Sequence, residues 1–261
     1  MKYLGGKQRL GKEIAHIILK YSSLFEYDEY LEPFCGALGV IVHVAPEFNI
    51  VEASDYHCDL IELWNKVQKG KFKPPIEVSE DDYKKIKQSD SPSALKAFVG
   101  FGCSFGGRFF SSYAQKHTNG KKENFCREAT NSLLRKKPLI QNIIFSCKSY
   151  EQWRPKNKVI YCDPPYVQTK HPIKYRRDVK HYDVFDNDKF WDKMRIWSKD
   201  NLVIVSERIA PDDFVPIWEK KKVNTASKSK KTTLKNNFKN EIIITEKLFV
   251  HKSINNKIHK F

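Results

Sequence analysis

Two consecutive stretches, YLEPFCGALGVIVHVAP at 30–46 and NIVEASDYHCDLIELWNKVQKG at 49–70, constrain the fold more than anything else in the chain. Each reads as a short apolar strand, a turn and a helix. The second has its strand over Ile50–Ser54, and its helix turns Leu60, Ile61, Trp64 and Val67 to one face. Strand–helix–strand–helix in close succession predicts a parallel sheet, and such sheets bind ligands at the carboxyl ends of their strands. The opening KYLGGKQRLGKEIAHIILKY predicts a glycine turn feeding another helix, with Ile14, Ile17, Ile18 and Tyr21 on one side.

This rhythm breaks between residues 71 and 140. SEDDYKKI, PSALKAFVGF and ENFCREATNSLLRK read as helical pieces around a glycine-rich aromatic loop, GFGCSFGGRFFSSY. The prediction is an inserted, mainly helical subdomain over 71–140, with 1–70 and 141–261 forming one sheet domain. The sheet resumes with NIIFSC, VIYC and, after a helix near Lys189–Ser198, NLVIVS. The last strands lie around KKVN and EIIITEKLFV and read as an antiparallel hairpin about a long Lys/Ser/Thr/Asn loop.

Charge is distributed unevenly. Of 47 Lys and Arg and 31 Asp and Glu, residues 1–70 hold 7 and 10, so 40 basic and 21 acidic residues fall after them. A one-sided basic surface of this size fits a polyanion, nucleic acid above all, although a lysine-rich solubilising surface has the same composition. No apolar run approaches a membrane span and no signal segment opens the chain, so a soluble, intracellular protein is expected. Six cysteines without a CxxC pair offer neither a zinc knuckle nor a disulfide framework; buried free thiols and no metal are expected.

Three places carry candidate chemistry. In the first strand–helix turn, Glu32-Pro33-Phe34-Cys35-Gly36-Ala37-Leu38-Gly39, glycine allows a close backbone approach. The turn is a poor match to GxGxxG, and an acid suits a cationic or amino-acid end better than phosphates. Asp55, at the tip of the second strand, is where adenosine-type cofactors have their ribose hydroxyls bound; an N-cap for the following helix is the other reading, and both roles are compatible. Finally, VIYC ends in Asp163-Pro164-Pro165-Tyr166. The prolines hold Asp163 extended and fix the direction of the Pro164 carbonyl, and Tyr166 adds a flat ring. Two acceptors and a stacking surface fit an amino group on a planar heterocycle.

The chain resembles the D12 class of DNA adenine-N6 methyltransferases. Lys2-Tyr3-Leu4-Gly5-Gly6-Lys7 resembles the family's N-terminal K-W-x-G-G-K, Glu32-Pro33-Phe34-x-Gly36 its E-P-F-x-G loop, and Asp163–Tyr166 its D-P-P-Y motif without change. Leu38 stands where the family's loop has a second glycine, and Ser149 where an acid often precedes the aromatic, here Tyr150. The resemblance implies a Rossmann-like fold dependent on S-adenosylmethionine, its sheet mostly parallel with an antiparallel C-terminal hairpin, and a target-recognition role for 71–140. It implies cofactor contacts from Tyr3, Gly6, Lys7, Glu32, Pro33, Phe34, Gly36, Asp55, Tyr150 and Asp163, with Asp163, Pro164, Pro165 and Tyr166 at the chemistry.

Double-stranded DNA is then the expected partner, met by a monomer or by a dimer on DNA, wherever the DNA of a bacterial or viral source resides. Lys170, Lys174, Arg176, Arg177 and Lys180 follow the catalytic motif and are candidates for phosphates flanking a flipped base. Arg108, between Gly107 and Phe109-Phe110, is a candidate for reading or wedging bases, with core packing the alternative for the two phenylalanines. The loop around Lys228–Lys239 is a candidate backbone clamp. Cytosine-C5 chemistry needs a cysteine nucleophile in a Pro-Cys context, which is missing. Cytosine-N4 methylation, RNA adenine methylation and a silent nucleic-acid-binding module remain as alternatives.

Overall fold

The computed structural model describes residues 1–115, 117–118, 121–166, 185–224 and 242–254. In chain order the elements are α1 (Gly11–Ser22), β1 (Glu29–Glu32), α2 (Ile41–Val44), β2 (Ile50–Asp55), α3 (Cys58–Gln68), α4 (Glu80–Gln88), α5 (Ala94–Gly102), β3 (His117–Thr118), β4 (Lys121–Lys122), α6 (Phe125–Lys136), β5 (Ile143–Cys147), β6 (Val159–Cys162), α7 (Asn187–Trp197), β7 (Leu202–Glu207), β8 (Phe214–Asn224) and β9 (Ile242–His251). Seven strands form one sheet in the order β5-β2-β1-β6-β7-β9-β8. The first five run parallel; β9 and β8 are antiparallel. This is the mostly parallel sheet with a closing hairpin that the sequence predicts.

The central strands β6, VIYC, and β7, apolar over Leu202–Val205, are buried along their length because both of their faces are covered. Tyr30, Val159, Tyr161, Leu202 and Ile204 share one core with Ile14 and Ile18 of α1 and Leu60 and Trp64 of α3. The alternate residues Leu31, Ile160, Cys162, Val203 and Val205 face Phe190, Trp191, Met194 and Trp197 of α7. Residues 71–140 contribute to the first core through Tyr83, Phe98, Phe101 and Leu133 of their helices and through Phe109 and Phe110 of a turn. Phe109 and Phe110 are therefore packing residues, 4% and 6% exposed, and the core alternative holds for both.

Local signals explain most boundaries. Ser79, Ser93, Asn124 and Asp186 each cap their helix by accepting a backbone N–H three residues on. β8 begins well before the KKVN where a strand is expected. Its register shifts between Pro216 and Trp218, and this edge strand tolerates a proline that cannot donate to a ladder.

The thiols depart from expectation. Cys35, Cys103, Cys126 and Cys162 are free and buried, but Cys58 and Cys147 form a disulfide with Cα atoms 5.0 Å apart. Parallel pairing sets Asp55 opposite Cys147, which brings the tip of β5 to the start of α3 from 89 residues away.

Gly11 opens α1 against the glycine turn. A Cβ on it would lie 1.9 Å from the carbonyl oxygen of Gly39. Gly11→Ala is expected to destabilise the protein by about 1–3 kcal/mol, the usual cost of overpacking, and a denaturant titration checks this. A wild-type midpoint in the variant would contradict it.

Candidate active site

Sequential strands step outward from β1 in one direction, to β2 and β5, and from β6 in the other, to β7. β1 and β6 are neighbours, so the strand order reverses between them, and a ligand crevice opens beyond their carboxyl ends. The residues that leave those two strands are Glu32-Pro33-Phe34-Cys35-Gly36 and Asp163-Pro164-Pro165-Tyr166. Topology thus brings together two motifs more than 120 residues apart.

The first turn is braced from several sides. Gly36 has a φ of +45°, and a Cβ there would meet the ring of Tyr3 at 3.2 Å. Its amide donates to Asp55 Oδ2 at 3.0 Å, and its carbonyl accepts from the Trp64 indole at 2.9 Å. Leu38 has a φ of +56°, so the position where the family pattern carries glycine does adopt the left-handed conformation here, with leucine. Its carbonyl accepts from Lys136 Nζ at 2.7 Å. Burial lowers the Lys136 pKa to about 8, against the attraction of Glu32.

Asp55 links two turns. Its second oxygen accepts from the His57 amide at 2.9 Å, and His57, with no side-chain cap bond, is the N-cap of α3. The N-cap role considered for Asp55 therefore does not hold. Glu32 is 2% exposed and accepts from the Tyr30 hydroxyl at 2.9 Å. Burial drives its pKa well above the ordinary carboxyl range, against the Tyr30 hydrogen bond and the Lys136 charge. Phe34 packs on Tyr150 with ring centroids 5.2 Å apart, and Phe190 joins both. Ser149, at the expected acid position, accepts from the Glu151 amide and caps the following turn.

The second motif lies on a buried charge cluster. Lys7 Nζ donates to Asp163 Oδ1 at 2.7 Å and to the Tyr166 hydroxyl at 2.6 Å, and lies 3.4 Å from Glu246 Oε1. Its side chain is 8% exposed, that of Asp163 18% and that of Glu246 10%. The Tyr166 hydroxyl also bonds Glu246 and lies 3.0 Å from Ser206 Oγ, which itself donates to Glu246 at 2.8 Å. Lys7 lies 4.5 Å from the centroid of the Tyr166 ring, and Arg208 lies 5.5 Å from it. Burial works against the Lys7 charge, but Asp163 and Glu246 outweigh it and raise the lysine pKa. Burial raises the Asp163 pKa, Glu246 adds to this, and Lys7 opposes it.

Tyr3, Gly6, Lys7, Glu32, Pro33, Phe34, Gly36, Asp55, Tyr150 and Asp163 are all described, and they converge on this end of the sheet. The Lys7 ammonium is turned onto the D-P-P-Y acid. Pro164 is buried and Pro165 exposed. Arg108 is exposed on a turn bridged between Ser104 and Tyr113. Lys170, Lys174, Arg176, Arg177, Lys180 and the Lys228–Lys239 loop lie outside the described residues. Among the described residues no cluster of His, Cys, Asp and Glu could hold a metal ion, and no helix is long and apolar enough to cross a membrane.

Sequence reasoning passed over Glu246, Ser206 and Lys136. Glu246 did carry a signal: it shares the strand parity of Leu248 and Val250, both fully buried, so an acid there has to point inward. Lys136 carried none, because a lysine in the last turn of a helix reads as a solvated residue or a dipole partner.

The family model of D12 class N6 adenine-specific DNA methyltransferases matches residues 3–97. The matched span includes Tyr3–Lys7, the Glu32–Gly36 turn and Asp55, and stops short of Asp163–Tyr166. No curated protein matches the chain.

Proposed function

We propose, on the premise of that family match, that the protein methylates N6 of adenine at a specific short site in double-stranded DNA, with S-adenosylmethionine as donor and the target base flipped into the Asp163–Tyr166 pocket. The observation that carries this reading is the meeting of the two motifs across the switch point, with a buried ion pair on Asp163.

The residues at the crevice fit such a cofactor. Gly36 lets the turn pass close against the Tyr3 ring, Phe34 and Tyr150 bring aromatic rings to the crevice, and the Asp55 oxygens keep acceptor capacity beyond their two backbone bonds. Tyr3, Gly6, Glu32 and Pro33 would complete the holding surface. When bound, S-adenosylmethionine supplies a methyl group on a sulfonium centre, whose carbon–sulfur bonding pair stays with the departing thioether.

The rest falls to the protein. An exocyclic amine conjugated to a purine ring is a weak nucleophile, because its lone pair is delocalised. Acceptors at the Asp163 carboxylate and the Pro164 carbonyl would take the two N6 hydrogens, favour a pyramidal nitrogen and stabilise the positive charge growing on it. Tyr166, its hydroxyl anchored by Lys7, Ser206 and Glu246, would offer its ring to the extruded base. Residues 71–140, with the exposed Arg108, would read the target, and the basic excess after residue 70 would hold the phosphates.

The test is incubation with isotopically methyl-labelled S-adenosylmethionine and unmethylated genomic DNA, digestion to nucleosides and identification of the labelled base by mass. Label in N6-methyladenine is expected. Label confined to N4-methylcytosine, to an RNA substrate or to no base at all would overturn the reading.

A further inference from the structure

We propose that Glu246 is a positioning residue for methyl transfer: by sharing the Lys7 ammonium with Asp163, it leaves the buried cluster with a net negative charge where the substrate amine becomes cationic. This rests on the function proposed above and extends it to β9, a strand none of the motifs reaches.

A single ammonium 2.7 Å from a single carboxylate would make a neutral pair and cancel most of the field Asp163 exerts on a neighbouring nitrogen. Glu246, 3.4 Å from the same ammonium, restores one surplus negative charge. Other described groups face the cluster as well. Glu32, from β1, is turned onto the Tyr30 hydroxyl and its pKa is raised by burial, as are those of the Tyr161 and Tyr166 phenols. Ser206, from β7, is neutral, and Arg208 stands off on the Tyr166 ring. Glu246 also fixes geometry, since it, Ser206 and Lys7 all bond the one Tyr166 hydroxyl. The proton released when the N-methyl ammonium relaxes to the amine has Asp163 as acceptor, and Lys7 then stays paired with Glu246.

The test compares wild type with Glu246→Gln and Glu246→Asp. In Glu246→Gln, kcat is expected to fall about tenfold or more, less than the ~10²–10³ typical of removing a direct partner of the reacting atoms, with the cofactor KM unchanged. Both limbs of the kcat–pH profile move to lower pH. Asp163 loses a like charge that raised its pKa, and Lys7 loses an opposite charge that raised its own. Glu246→Asp keeps the charge and holds both limbs near wild type.

Urea denaturation of the cofactor-free protein at alkaline pH reads the same coupling without turnover. Wild type keeps the Lys7 contribution to a higher pH than Glu246→Gln does. If the alkaline limb of stability is unmoved in Glu246→Gln, or both pH profiles of Glu246→Asp shift as a neutral residue would shift them, the proposal is overturned. That failure is separate from failure of the function itself, which shows as an absence of labelled base with the wild type.

Discussion

Asp163→Ala is expected to lower kcat by at least ~10²–10³-fold while the chain stays folded, the size of effect found when one preorganised hydrogen-bonding partner is taken from a developing charge. Under the proposed function Asp163 is that partner, and among the described residues no other carboxylate stands in its place. Glu32 is buried on Tyr30, and Glu246 faces Lys7, Tyr166 and Ser206. The fold survives because Lys7 is not orphaned: it keeps Glu246 at 3.4 Å and the Tyr166 hydroxyl. Single-turnover methylation with labelled cofactor, beside a urea titration, separates the two effects. A variant with near-wild-type turnover would place the acceptor of the N6 hydrogens elsewhere.

Lys7→Met carries the largest expected loss of stability, about 3–5 kcal/mol, the cost of breaking a buried ion pair and leaving its partners uncompensated. Here two carboxylates are left, 18% and 10% exposed, and the deficit therefore depends on pH. Lys7 has a raised pKa in the fold, so its stabilisation is complete below its unfolded pKa and disappears as pH climbs through the folded one. Asp163 titrates above its ordinary value already, and loses in Lys7→Met the charge that pulled it down. The gap between variant and wild type should be widest near neutral pH. It narrows on the acid side, where Asp163 takes up a proton, and on the far alkaline side, where the wild type loses its ammonium. Urea midpoints across the pH range measure this; a small gap that does not vary with pH would mean that the lysine is not the counter-charge of the cluster.

Strand–turn–helix units 30–46 and 49–70 were legible because each packs locally and their periodicities are undisturbed. The turn at Gly36, the acid at Asp55 and the acid at Asp163 could be found for the same reason: a strand end with glycine, aspartate or proline is a local signal. What could not be read is what the sheet brings together over long distances. Lys7 reaches Asp163 across 156 positions and Glu246 across 239, and nothing in KYLGGK indicates a carboxylate partner. The Cys58–Cys147 bridge follows from the pairing of β2 with β5, which neither cysteine announces. Position 38 shows the reverse: leucine hides a left-handed turn that glycine in its place would have advertised.

The N-terminal segment joins two tasks in very little chain. The Leu4 amide donates to the carbonyl of Gly107, and a Cβ on Gly107 would stand 2.6 Å from the Tyr3 nitrogen, so residues 2–4 rest directly on the turn that carries Arg108. Three positions past Leu4, Lys7 grips Asp163. If that turn reads DNA, reading and chemistry are separated by less than two turns' worth of a helix. A shift of the turn on meeting its target would pull on the ammonium paired with Asp163. Under the proposed function such a connection would make rate, rather than binding alone, the quantity that responds to the right sequence: a wrong site could be held by its phosphates and still be methylated slowly.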